Sequence, residues 1–243
     1  MDTLVARLED TLSSDQATRD AAEQYLAHET LPKSRTDDVL GVQLAQILSE
    51  ASLSLYVRQA AAIALKKYVR KRWSIFFDTF TQDMVVNGIV QTVDATPVEA
   101  KEHIRTSLLA CLCDAEPKVR SQASDILSLI SSCDFPDHFP QLLPTLQAYL
   151  HSYAEQDAHA AYKVHGAMKF LLDLVHVELD ENQLLMVAQQ LVPLLQGIVS
   201  SSSDWITPHT RARCINVFHQ CLISLYMAKD SYVDTVHMVT THY

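Results

Sequence analysis

The chain has 243 residues, 48% of them hydrophobic and 20% charged, with a formal net charge of −10. Only four are glycine (Gly41, Gly88, Gly166 and Gly197), against about 17 at ordinary usage. Positions with φ > 0 are therefore scarce, and β-meanders, dinucleotide fingerprints and phosphate loops are not expected. No run reaches the ~18 apolar residues of a membrane span, and no basic-then-apolar leader opens the chain.

In chain order the segments read as amphipathic helices that come in pairs. Leu4, Val5, Leu8 and Leu12 mark the first stripe, and Arg19, Ala22 and Leu26 follow it in a second helix capped by Ser14 or Asp15. Val39, Leu40, Leu44, Ile47 and Leu48 open the next pair, completed by Val57, Ala60, Ala61, Ala64, Leu65 and Tyr68. An inserted segment is expected around residues 74–96. Ile104, Leu108, Leu109 and Leu112 then precede Val119, Ala123, Ile126, Leu127 and Ile130, with Pro117 in the first turn. Leu142, Leu143, Leu146 and Leu150 precede Val164, Ala167 and Leu171. Leu184, Leu185, Ala188, Leu191, Leu195 and Ile198 precede Arg211, Cys214 and Phe218, with Thr207-Pro208 as N-cap and first helical residue. The Ser200–Asp204 stretch reads as an inter-repeat loop.

One pattern recurs in the second helices. An arginine is followed by a small residue three positions on and a large apolar residue seven positions on. It appears as Arg19–Ala22–Leu26, Arg58–Ala61–Leu65, Arg120–Ala123–Leu127 and, more weakly, Arg211–Cys214–Phe218. Val164–Ala167–Leu171 is a copy without the arginine. Most of the spacings match the ~40–47 residues of HEAT or armadillo repeats. A helix pair cannot bury its apolar face alone, so pairs stack. The expected fold is all-α, a single α-solenoid (superhelix) of about five HEAT repeats over residues 1–243. The repeated arginine is expected to be structural, bonded to an acidic residue or to helix C-terminal carbonyls of the next repeat.

Charge is unevenly placed. Residues 51–72 carry six basic and no acidic side chains, whereas residues 1–50 carry ten acidic against four basic. An acidic chain is a poor nucleic-acid binder and a fitting partner for basic proteins. Lys66, Lys67, Arg70, Lys71 and Arg72 form the basic block. Arg70 to Arg72 can complement a helix dipole; Lys66 and Lys67 lie earlier and fit that less well, so charge alone leaves two readings of the block, a solvated surface and a docking patch for an acidic partner.

Nothing points to catalysis, a cofactor or a metal. His138, His151 and His159 lack metal-ligand spacing. Cys214 and Cys221 share a helix face as buried small hydrophobes, and Cys111 and Cys113 point apart. With Cys133 these five scattered cysteines form no disulfide framework, which fits the cytosol or nucleus.

Two segments carry more than a generic repeat. Val57-Arg-Gln-Ala-Ala-Ala-Ile-Ala-Leu-Lys-Lys-Tyr-Val-Arg-Lys-Arg-Trp73 resembles the signature of the importin-β N-terminal domain, in which an Arg–Ala–Ile–Leu-Lys helix leads into a tryptophan. Val119-Arg-Ser-Gln-Ala-Ser-Asp-Ile-Leu-Ser-Leu-Ile, followed by Asp134-Phe-Pro-Asp-His-Phe-Pro140 and Leu142-Leu-Pro-Thr-Leu146, is similar to the family's following repeats, with Phe139 where tryptophan is usual. The Val164–Lys169 run resembles the importin nine branch. The resemblance implies the N-terminal part of a longer nuclear transport receptor (karyopherin) that shuttles between cytoplasm and nucleus. It implies Ran-GTP bound by the second helices, with Lys66 at the matched position and Lys67 and Arg70 beside it. It also implies basic cargo such as histones or ribosomal proteins, leaves nucleoporins open, and brings no cofactor, nucleic acid or membrane. The rival reading is a HEAT scaffold subunit of another complex with no Ran affinity.

Overall fold

The computed structural model describes residues 1–29, 39–74, 77, 83–86, 89–92, 96–155, 158–176 and 179–227. Among them are ten α-helices in five consecutive pairs: α1 Asp2–Asp10 with α2 Gln16–Glu29, α3 Leu40–Ser49 with α4 Leu55–Arg72, α5 Val98–Cys111 with α6 Pro117–Asp134, α7 Leu142–His151 with α8 Ala158–His176, and α9 Glu181–Ser200 with α10 Pro208–Met227. Two short strands, β1 Asp83–Val86 and β2 Ile89–Thr92, lie in the insertion between the second and third pairs. They pair antiparallel, with Val86 opposite Ile89 and Asp83 opposite Thr92. The strand pair departs from the helical expectation. In the sequence Asn87-Gly88 separates two apolar runs, a strong local signal for a tight hairpin, which the chain-wide scarcity of glycine obscures.

The chain divides into two compact units, residues 1–111 with 116–126 and residues 112–115 with 127–243. In the first, α3 packs along α4 and α5, and α1 packs against α2 and α4. Its centre is apolar: Leu44, Ile47, Leu48, Leu65, Tyr68, Trp73, Ile104 and Leu108 have no exposed surface. Removing one such side chain to alanine costs about 2–5 kcal/mol. Gly41 allows α3 to come close, since a Cβ there would meet the Tyr68 ring at 2.5 Å. Two residues expected on buried stripes are instead exposed. Leu12 lies beyond the end of α1, and Val39 is the N-cap of α3.

In the second unit α7 packs on α8 and α9, and α10 packs on α8 and α9. Leu142, Leu146, Leu150, Val164, Phe170, Leu171, Leu195 and Ile198 are fully buried. By length and composition the Asn182–Ser200 stretch of α9 is apolar enough to cross a membrane. Its apolar face, however, is covered within the unit, with Val187, Ala188, Leu191 and Leu195 buried. Residues 201–207 join α9 to α10, so the Ser200–Asp204 loop lies inside one pair rather than between repeats. There the Trp205 indole donates to the Glu155 carbonyl at 3.2 Å, and its ring meets His165 edge-on with centroids 6.0 Å apart.

Helix starts follow their sequence signals. Thr18 N–H donates to Asp15 Oδ2 at 2.9 Å, Val57 N–H to Ser54 Oγ at 3.4 Å, and Thr210 N–H to Thr207 Oγ1 at 3.2 Å. α9 opens on a capping box between Asp180 and Gln183, and the Gln183 amide also donates to the Phe135 carbonyl.

At Arg19, Arg58 and Arg211 the repeated arginine is structural and bonds carbonyls of its own pair, where the sequence pointed to the next repeat. Arg58 Nε donates to the Leu48 carbonyl at 2.8 Å, at the C-terminal end of α3 in its own pair. Arg211 reaches back to Val199 and Ser201 carbonyls at 3.3 and 2.7 Å, and also to the Ile206 carbonyl. Arg19 donates to the Ser13 carbonyl at 2.6 Å. In each case a guanidinium near the start of the second helix meets carbonyls left at or beyond the end of the first. The motif therefore ties a pair to itself.

Candidate functional site

The site expected from the sequence lies on α4, and its position follows from what holds that helix. Ser54 caps the N-terminus, and Arg58, only 3% exposed, ties the first turn to α3. At the other end Trp73 is fully buried, with Lys101 Nζ 5.0 Å and the Arg105 guanidinium 5.7 Å from its ring centroid. Such cation–π contacts favour a fixed ring position. The chain then returns to α4 at Thr96. Its N–H and Oγ1 both donate to the Arg72 carbonyl, at 2.8 and 2.9 Å, and its hydroxyl also lies 3.0 Å from Tyr68 Oη. A buried orphan carbonyl at the end of α4 is satisfied in this way.

Between these anchors the basic residues divide by direction. Lys66 Nζ stands 3.7 Å from Asp125 Oδ2 on α6, with both side chains roughly two-fifths exposed. Lys67, Arg70 and Lys71 are exposed, whereas Arg72 is buried. Consecutive positions on a helix differ by about 100°. Lys66 therefore turns toward α6, while Lys67 and Lys71, four apart, line a groove between α2 and α4. The expected trio is not one cluster: Lys66 is engaged by a carboxylate, Lys67 faces the groove, and Arg70 stands on the exposed surface.

Sequence periodicity assigns the buried face of α4 well but misses two residues on its other face. Tyr56 and Ile63 are 69% and 55% exposed. They are spaced i, i+7 and both line the groove. The available signal was their interruption of an otherwise polar outward face. Among the described residues no group of three or more histidine, cysteine or acidic side chains is placed to hold a metal. The cysteines are free thiols, with Cys111, Cys214 and Cys221 buried and Cys113 and Cys133 partly exposed.

Comparison with known proteins bears on this surface. Residues 27–114 match the importin-β N-terminal domain, a span that runs from the end of α2 through α5 and includes all of α4. The chain is 27% identical to importin subunit beta-5 of Schizosaccharomyces pombe over 79% of its own length and 18% of that protein's. It is 23% identical to importin-9 of Drosophila melanogaster over 91% of its length and 19% of that protein's. The chain thus spans about a fifth of the length of these relatives. Among solved structures it resembles yeast importin-β (Kap95p), with a TM-score of 0.72 at 19% identity, over 98% of this chain and 26% of that one. That likeness shows the fold, a HEAT-type α-solenoid. The segment that matches the importin-β N-terminal domain, residues 27–114, thus contains α4 and its lysines.

Proposed function

We propose that this chain is the Ran-binding part of a nuclear transport receptor, with α4 as the contact for Ran-GTP and Lys66, Lys67 and Arg70 as its charged residues. The observation that carries this reading is the placement of an exposed basic helix end, Lys67 to Lys71, inside the importin-β N-terminal domain. The function is binding, with no bond made or broken. Basic cargo such as histones or ribosomal proteins suits the acidic remainder of the chain, where residues 73–162 carry twelve acidic against four basic side chains. Complementarity of this kind acts mainly on association rate and specificity. The receptor would shuttle between cytoplasm and nucleus, and nucleoporins are a further partner class.

The test is binding of the purified chain to Ran loaded with a non-hydrolysable GTP analogue, against Ran-GDP, with Lys66→Asp/Lys67→Asp alongside. Selective binding to the GTP form that is lost in the variant supports the reading. A folded, helical chain that binds neither form, with the same outcome for the full-length protein, favours a HEAT scaffold without Ran affinity.

A further inference from the structure

The groove between α2 and α4 has a volume of about 780 Å³, within the size range of ligand-binding clefts. Its floor is apolar, formed by Leu8, Leu26, Leu40 and Leu44. Three large apolar side chains that a monomer gains nothing by exposing stand at its edges: Tyr56 at 69%, Ile63 at 55% and Leu12 at 52% exposed. Along α4 the lining changes character. Tyr56 and Ile63 occupy the N-terminal half, and the same face continues into exposed Lys67 and Lys71. Glu23 on the α2 side is the only carboxylate among the described lining residues.

We infer that this groove takes an amphipathic peptide segment of a partner protein, apolar along one half and acidic along the other, lying against α4. Tyr56 to Lys71 spans about 22 Å of helix at 1.5 Å per residue, the length of about four turns of an occupying helix. Its apolar half covers Tyr56 and Ile63 by helix-in-groove packing. Its acidic half meets Lys67 and Lys71. A basic segment would set like charges against those lysines. The inference does not depend on Ran: it requires only the groove and the polarity of its lining.

The test uses a fluorescein-labelled, alanine-based helical peptide with leucines at i, i+3, i+4 and i+7 in one half and glutamates on the same face of the other. A control peptide has lysines in place of the glutamates. The acidic peptide should bind the purified chain and the control should not. Ile63→Glu should weaken binding about tenfold or more, a loss of the size that one buried apolar anchor supplies. Lys67→Glu/Lys71→Glu should lose the acidic peptide and gain the lysine peptide, an exchange that a misfolded variant cannot show. Equal binding of both peptides, undiminished binding to Ile63→Glu, or no binding of either peptide overturns the inference. Binding of Ran-GTP without binding of the peptide overturns it while leaving the Ran reading intact. A concentration-dependent dimer of the chain that Ile63→Glu abolishes assigns the groove to self-association instead.

Discussion

A Cβ placed on Gly166 would stand 1.8 Å from the carbonyl oxygen of Leu112. The obstacle is backbone, so no side-chain rotation relieves it, and α8 reaches its position only because that residue is glycine. Gly197 differs, since its Cβ would meet the phenol oxygen of Tyr153 at 2.8 Å, the far end of a side chain that can move. Gly166→Ala should therefore destabilise the second unit by about 1–3 kcal/mol or more, as overpacking does. Gly197→Ala should be close to neutral, because mid-helix alanine regains up to about 1 kcal/mol of propensity. Urea unfolding of the two variants compares them directly, and equal losses would contradict this account.

Arg58 should behave as a buried capping group rather than a surface charge. It is 3% exposed and donates to Leu48 at 2.8 Å. Arg58→Ala should cost about 1.5–3 kcal/mol, the range for a hydrogen bond to a charged group. Arg58→Lys should recover little of it, because an ammonium lacks the planar fork. Arg19→Ala, at a partly exposed position, should cost less. Thermal unfolding of the three variants supplies the ranking.

The ion pair between Lys66 and Asp125 is partly exposed and long, so its contribution to folding should be small. A double-mutant cycle with Lys66→Ala and Asp125→Ala should give a coupling energy below about 1 kcal/mol that shrinks further with added salt. Under that outcome, a Ran-binding defect in Lys66→Asp/Lys67→Asp reports a lost contact and not a lost fold.

Burial pushes the thiols of Cys214 and Cys221 up to about 12. The native chain should therefore show slow alkylation at these positions at pH 8, with partly exposed Cys113 and Cys133 modified first. Mass spectrometry of the iodoacetamide-treated chain distinguishes them. The unfolded thiols ionise near 9 and the folded ones near 12. The unfolded chain thus binds fewer protons between those values, and the stability these two groups contribute is intact below pH 9 and lost as pH rises toward 12. A stability profile that rises across that window would contradict the assignment.

Much of the fold is legible in the sequence because a helix buried on one side writes its period into the chain. Leu142, Leu143, Leu146 and Leu150 mark α7, and all four are buried. The partner of Arg58 is a different matter. Periodicity places the guanidinium on the inner face, but carbonyls of the same pair and of the next repeat both lie within the reach of so long a side chain. The β1–β2 hairpin carries a clear local cue in Asn87-Gly88, yet an average over the whole chain cannot register one dipeptide. At the site, the basic block is visible as composition. The division that sends Lys66 toward Asp125 and Lys67 into the groove depends on helix rotation and on what α2 and α6 place opposite. Tyr56 and Ile63 read as ordinary members of an alanine-rich helix until the neighbouring helices show that no described side chain covers them.

The clasp of Thr96 on the Arg72 carbonyl has a consequence for how this chain tolerates change. Arg72 and Thr96 are bonded at the end of α4, and 23 residues separate them in sequence. The ends of that stretch are thereby held together. Its length enters the folding balance only through loop closure, where a doubling costs about 0.6 kcal/mol. The register of every later helix is indifferent to that length. A reporter domain spliced in between Trp73 and Thr96 should therefore leave the helix pairs on either side as they are.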